Sequence, residues 1–301
     1  MKRFKTMHNT FLSYSIDTEI AETVLNRCKP WYQANKSGKM TYFAVCPKCE
    51  NPIQLINVVG ASTANPRQYG KHENQRVDGF DFFDGHALRT CPLMVRNQNP
   101  KRDDRRPMSE TSNRIIQLAT ENFDHIVKLL RRELGVNFSD NYALTMLEDW
   151  MRAEAYNYTG ANLENIPWMI AYFASTINIY GRYLMAGDEL AEAITERMPE
   201  IFVNNDRKVE RRNAGPFLNL GLSTLNHQIV RTADEDVTEH LTISVLNLPQ
   251  NNSPIGAPII YQRRFNIMHS EFEDVLNSTT PRNGGLLDKA RGIAARFGHS
   301  V

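Results

Sequence analysis

Residues 40–49 read Met40-Thr41-Tyr42-Phe43-Ala44-Val45-Cys46-Pro47-Lys48-Cys49, and Ile53-Gln54-Leu55-Ile56-Asn57-Val58-Val59 follows at once. The first six residues are rich in aromatic and β-branched side chains and predict a strand, and the second run follows as another. Between them Cys-x-x-Cys makes a tight turn, and Asn51-Pro52 blocks any helix after it. That block argues against a redox dithiol, which is expected to open a helix.

A third cysteine, Cys91, and two histidines, His72 and His86, follow within the next forty-odd residues. Two thiolates from one turn and a second pair from farther along the chain are what a tetrahedral Zn2+ site requires. Strand, two-cysteine turn and strand have the shape of a zinc knuckle. His86 with Cys91 is the favoured second pair, because four intervening residues return both side chains to one point with a small loop. His72, in Tyr69-Gly70-Lys71-His72, is the alternative fourth ligand. Four protein ligands close the site, so the metal is expected to be structural and to supply folding energy to a region poor in apolar mass. From Tyr42 to Leu93 the chain resembles zinc ribbons in outline, a likeness that implies a local fold and no function. A zinc deaminase is not expected, since no H-x-E or C-x-E precedes Cys46.

Outward from this segment, Asn97–Pro107 (Asn-Gln-Asn-Pro-Lys-Arg-Asp-Asp-Arg-Arg-Pro) reads as a charged, proline-bracketed linker. The expected division is a zinc-binding module with its basic linker over 1–107 and a helical body over 108–301. In the body, Ile115, Ala119, Phe123, Ile126, Leu130 and Leu134 step by three or four, predicting one helix from Ser109 to Leu134 that Gly135 ends. Further helices are expected after Ser139, from Pro167 to Met185, and from Asp188 to Met198. Leu241–Val245 and Ile259–Ile267 alternate apolar with polar residues on either side of a Pro/Gly/Asn loop, predicting an antiparallel hairpin. Short helices around Ser270–Leu276 and Leu286–Phe297 close the chain. The expected class is α+β, helix-dominated.

The 301 residues carry 35 Lys and Arg against 34 Asp and Glu, so no net field steers the whole molecule toward a polyanion. Local patches must do so. Arg96, Lys101, Arg102, Arg105 and Arg106 cluster in the linker beside the expected metal module, and arginine-rich loops suit a phosphate backbone. Arg207, Lys208, Arg211 and Arg212 form a second, lesser cluster. The function expected from these features is a non-catalytic binding protein that contacts DNA or RNA, or a protein complex that handles nucleic acid.

Two other classes are open. One is a metal-dependent nuclease or phosphodiesterase using His72, His86 and the aspartates of Asp78-Gly79-Phe80-Asp81-Phe82-Phe83-Asp84. Asp124-His125 offers nothing to it, lying inside a periodic helix. The other is a protein-interaction scaffold, a homo-oligomer through helices carrying Trp150, Met151, Trp168 and Met169. Phosphate-binding-loop, dinucleotide and hydrolase-elbow signatures do not occur. No secretory signal is expected, because polar residues interrupt the segment after Lys5, where an apolar run of about 7–15 residues is needed. Nor is a membrane span: the longest apolar stretch, Trp168–Met185, carries Arg182. Four cysteines are too few for a disulfide framework in a chain this long, so a reducing cytoplasm is the expected compartment.

Overall fold

The structure is a computed structural model describing residues 1–60, 67–94, 99–185, 187–215, 218–232 and 237–299. Two apolar cores organise these residues. The smaller gathers Phe4, Ala21, Leu25, Tyr42, Ile53 and Leu55 around three of the cysteines, and it borrows Ile229 and Val237 from far down the chain. A short ladder, β1 (Arg3–Phe4) with β2 (Tyr14–Ser15), leads into α1 (Thr18–Leu25), whose N-terminus is capped by the Asp17 carboxylate. An antiparallel sheet follows in chain order: β3 (Tyr32–Ala34), β4 (Met40–Val45), β5 (Pro52–Ile56) and β6 (Tyr69–His72). The short helix α2 (Gly85–Arg89) delivers the chain to Cys91.

The larger core is built from α3 (Glu110–Glu121), α4 (Phe123–Leu134), α5 (Asp140–Arg152), α6 (Ile166–Phe173) and one face of a second sheet. Minor pairs decorate it: β7 (Val136–Asn137) with β9 (Tyr183–Leu184), and β10 (Ile201–Val203) with β11 (Val209–Arg211) after helix α7 (Glu189–Arg197). The second sheet runs β14 (Ile259–Asn266), β13 (Val237–Leu248), β12 (Asn219–Arg231), β8 (Ile177–Asn178), all antiparallel. Helices α8 (His269–Leu276) and α9 (Gly284–Arg296) return across the first four.

Helix dominance is the expectation this architecture overturns. The described residues are 32% helical and 25% strand, with five mostly antiparallel sheets among them. Three segments account for the difference. The stretch expected as one helix from Ser109 to Leu134 breaks at Asn122, which leaves helical geometry (φ −122°, ψ 20°) and caps both pieces. The helix expected to reach Met185 stops at Phe173, since Ile177-Asn178 pairs with Leu222 and Gly221 instead. The longest strand, β12, was invisible as alternation because a bulge between Leu225 and Gln228 shifts its apolar phase. The expected hairpin of β13 and β14 forms, with Leu241 opposite Phe265 and Ile243 opposite Arg263. Trp150, Met151, Trp168 and Met169 all lie inside the larger core, each at most 1% exposed, so they offer no surface for self-association. Among the described residues no helix is long and apolar enough to cross a membrane.

Candidate metal centre

Strand β4 ends directly at Cys46, and the turn that follows closes on itself: Glu50 N donates to Cys46 O at 3.0 Å, and Cys46 N donates to Asn51 O at 2.9 Å. Strand β5 then returns, with Ala44 opposite Ile53, and Ile53 in turn opposite His72 on β6. This register carries His72 back beside the two cysteines. Helix α2 brings in the third, its first turn fixed by the Asp84 carboxylate, which accepts from the N–H groups of His86 and Ala87. One ligand atom each from Cys46, Cys49, His72 and Cys91 falls within 4.8 Å of all the others, and among the described residues this is the only such His/Cys/Asp/Glu group.

The fit to a single ion can be tested by distance. With Zn–S near 2.3 Å and Zn–N near 2.0 Å, a tetrahedron has S···S edges of about 3.8 Å and S···N edges of about 3.5 Å. Cys46 Sγ and Cys91 Sγ are 3.8 Å apart, and Cys49 Sγ is 3.4 Å from His72 Nε2. All three cysteines are reduced and buried. Burial pushes the Cys49 and Cys91 thiols well up, and the nearness of Cys46 pushes both the same way. Three sulfurs this close and this dry can all ionise only against a cation. The donor set therefore fits Zn2+, with His72 and the three thiolates filling four positions.

His72 rather than His86 completes the group, which corrects the favoured pairing of His86 with Cys91. Loop length was a weak guide: closing the longer loop costs only on the order of 1 kcal/mol more. Sheet pairing outweighs that, because the register of β5 and β6 fixes where His72 lies, whereas His86 stays on α2 with its Nδ1 2.7 Å from Arg89 Nη2. The nuclease constellation does not assemble either. Asp78 and Asp81 are exposed, Asp84 is consumed as a helix cap and as acceptor for Thr111 Oγ1 at 2.7 Å, and Asp124 pairs with Arg282.

The linker arginines divide. Arg96 lies outside the described residues. Lys101 and Arg102 are exposed, the Arg102 guanidinium resting 5.3 Å from the Phe173 ring centroid and 5.5 Å from that of Tyr172. Arg105 is half-buried and donates to Ala153 O through Nε and Nη2. Arg106 is 6% exposed, and burial pushes its pKa down to about 10. It cannot reach a ligand in solvent, which corrects its place among the phosphate contacts. An antiparallel bridge between Arg105 and Tyr158 folds this segment against the larger core and turns Arg106 inward.

Beside the metal turn lies a cluster that periodicity and spacing gave no sign of. Lys48, between the two turn cysteines, extends its side chain toward the larger core. Its Nζ is 2.7 Å from Glu164 Oε2, 2.8 Å from His269 Nδ1 and 3.7 Å from Glu239 Oε1. Lys5, 0% exposed, lies 3.4 Å from both Glu164 and Glu50. Glu239, also 0% exposed, accepts from Asn162 Nδ2 and Asn165 Nδ2 and sits 3.2 Å from His269 Nε2 and 3.4 Å from His227 Nε2. Burial pushes the Glu164 carboxyl upward, but the charges of Lys48, Lys5 and His269 outweigh it and hold the pKa down to about 2. Glu239 is likewise held well below the usual carboxylate range, the charge of His269 and the bonds from both imidazoles overcoming its burial. A cleft of about 500 Å³ opens onto this cluster, with Lys48, Glu164 and His269 in its lining. Glu50 adds a strained backbone, φ +58°, in the left-handed region that favours glycine. Its carboxylate accepts twice from Asn9 N, at 3.0 and 3.1 Å, which holds it there.

Compared with protein-family models, curated proteins and solved structures, the chain matches none, so the reading of this site rests on its own geometry.

Proposed function

We propose that this chain is a nucleic-acid-binding protein whose basic N-terminal module, residues 1–107, is held in shape by a structural zinc ion on Cys46, Cys49, His72 and Cys91. The observation that carries the reading is how charge is divided. The near-zero total conceals two opposite halves: residues 1–107 have 17 Lys and Arg against 10 Asp and Glu, a formal +7, and residues 108–301 have 18 against 24, a formal −6. Among the described residues of the first half, twelve cations are exposed against six acids. An excess of that size in one half of a neutral chain attracts a phosphate backbone locally while the acidic half is repelled, and so favours an orientation. Lys101 and Arg102, at the junction, are the linker residues best placed to take part.

The proposed role of the metal is indirect. Drawing three thiolates and an imidazole together fixes β4, β5 and β6 and thereby the cations they and their loops display. Cytoplasmic residence suits this reading, since a reducing compartment keeps the thiols available.

The test is titration of the metal-loaded chain with single-stranded DNA, single-stranded RNA and duplex DNA over a range of salt. With about three phosphates neutralised, affinity should fall roughly 40-fold for duplex DNA, or roughly 20-fold for a single strand, between about 50 and 200 mM salt. Equal, negligible retention of all three forms at the lowest salt sinks the proposal.

A further inference from the structure

Both side chains that tie the metal turn to the larger core come from within two residues of a ligand. Lys48 stands between Cys46 and Cys49, and its ammonium lies 2.7 Å from Glu164 and 3.7 Å from Glu239, two carboxylates of the other core. Asn51, two residues past Cys49, is 0% exposed. It donates to Cys49 O at 3.2 Å and to Asp84 O at 3.0 Å, and accepts from Asp84 N at 2.8 Å. Asp84 in turn accepts from Thr111 on α3. The turn is thus a hub, with the metal ligands on one side and two polar struts into the larger core on the other.

A buried carboxylate stripped of its counter-charge is far costlier than the pair was favourable. Glu164 is enclosed with two ammonium groups, Lys48 at 2.7 Å and Lys5 at 3.4 Å, and Glu239 with Lys48 and two imidazoles. Of the two lysines, Lys48 is the one shared by both carboxylates, and its position is set by a five-residue turn. Two backbone bonds hold the turn without the metal: Cys46 N to Asn51 O, and Glu50 N to Cys46 O. Without the cation the buried Cys49 and Cys91 thiols are protonated, and the coordination that pins the turn to β6 and to Cys91 is gone.

We infer that metal occupancy of the Cys46/Cys49/His72/Cys91 site is transmitted through Lys48 to the Glu164–Glu239–His269 cluster, so that the cleft between the two cores keeps its shape only while the metal is bound. This rests on the proposed metal site and adds a regulatory consequence: metal availability governs how the acidic half is held against the basic one. When the metal leaves, the turn relaxes, Lys48 withdraws, and the two carboxylates take up water by opening the seam. The α5 helix, with Trp150 and Leu147 fully buried in the larger core, takes no part in the Lys48 cluster and stays closed.

The experiment is hydrogen exchange on the full chain, zinc-loaded and after removal of zinc with a chelator, for the unaltered protein and for Lys48→Met. Metal content is measured on each sample. On chelation the unaltered protein should exchange at least about ten-fold faster at residues 160–166 and 237–241, with α5 changing less than about two-fold. Lys48→Met should keep its zinc yet already exchange fast in both segments, and chelation should add little. If Lys48→Met does not fold, Glu164→Gln removes the other end of the pair and should give the same pattern. Three results overturn the inference. The two segments can stay protected while 40–94 loosens. The α5 helix can loosen as much as they do, which is global unfolding. Or the metal-loaded variant can keep full protection. A chain that purifies without metal and with 40–94 fully protected defeats the metal site itself, and the metal analysis separates that outcome from the other three.

Discussion

The larger core is sealed by apolar bulk: Trp150, Trp168, Phe123, Phe138 and Phe272 are each at most 1% exposed, packed among helices and one face of the second sheet. The smaller core has Phe4, Tyr42 and Ile53 but also three sulfurs, an imidazole and, along its border, Lys5, Lys48 and Glu50. One region gains from removing hydrocarbon from water, a term that tolerates local rearrangement and does not depend on what is dissolved outside. The other relies on paired charge and, with the proposed metal bound, on coordination, which are strong, directional and responsive to metal, proton and salt. The difference teaches where to look for control. Solution conditions reach the smaller core and its seam first, and the larger core last.

The sharpest way to break this contrast is at a ligand. Cys91→Ser should abolish stoichiometric zinc and cost the smaller core on the order of 10 kcal/mol of metal-linked folding energy. The readouts are metal content and loss of hydrogen-exchange protection over 40–94. His72→Ala should act in the same direction, whereas His86→Ala should leave metal content unchanged, and a loss of zinc from His86→Ala would reverse the assignment.

The next effect belongs to the other core. Trp150→Ala removes the largest fully buried ring and should destabilise the chain by about 3–5 kcal/mol, followed by denaturant unfolding. Adding chelator should change that decrement little. A decrement that vanishes in chelator shows that the two cores are one cooperative unit.

Acid probes the seam. The Glu164 carboxyl is held from 4.5 down to about 2 in the folded chain, so its contribution is fully present above pH ~4.5 and is lost as pH falls toward 2. That contribution is on the order of 3 kcal/mol, and Glu239, shifted the same way, adds to it. Unfolding midpoints measured from pH 6 to pH 2 (about ten steps) should fall across this window, and Glu164→Gln should flatten the curve. An unchanged slope in that variant removes the carboxylate from the account.

The smallest effect is at the surface. Lys101→Ala should leave stability within about 0.5 kcal/mol and lower the log–log salt slope of nucleic-acid binding by about 1. Arg106→Ala, by contrast, should act on stability and leave the slope alone, because its side chain is inside.

Much of the site was legible beforehand. Cys46, Cys49 and Cys91 announce themselves because zinc coordination needs particular atoms at particular spacings, and side-chain type carries that information without reference to the rest of the fold. His72 stood as an alternative because spacing bounds a loop but does not choose a register. The division of charge between 1–107 and 108–301 was legible too, but summing over the whole chain cancels it. The Lys48 cluster was not: Glu164 is 116 residues away and His269 is 221 away, and a lysine between two cysteines looks like solvent-facing filler.

Composition and local pattern determined the thiolate turn, the β4–β5 hairpin, most helix starts and the β13–β14 pair, because those depend on neighbours a few residues apart. Tertiary structure decided the rest. It broke the helix at Asn122 and paired β12 despite its bulge. It chose His72 by sheet register and turned Arg106 inward. Each of these outcomes is a competition between local preference and burial against a distant partner, and the winner is set by which surfaces meet.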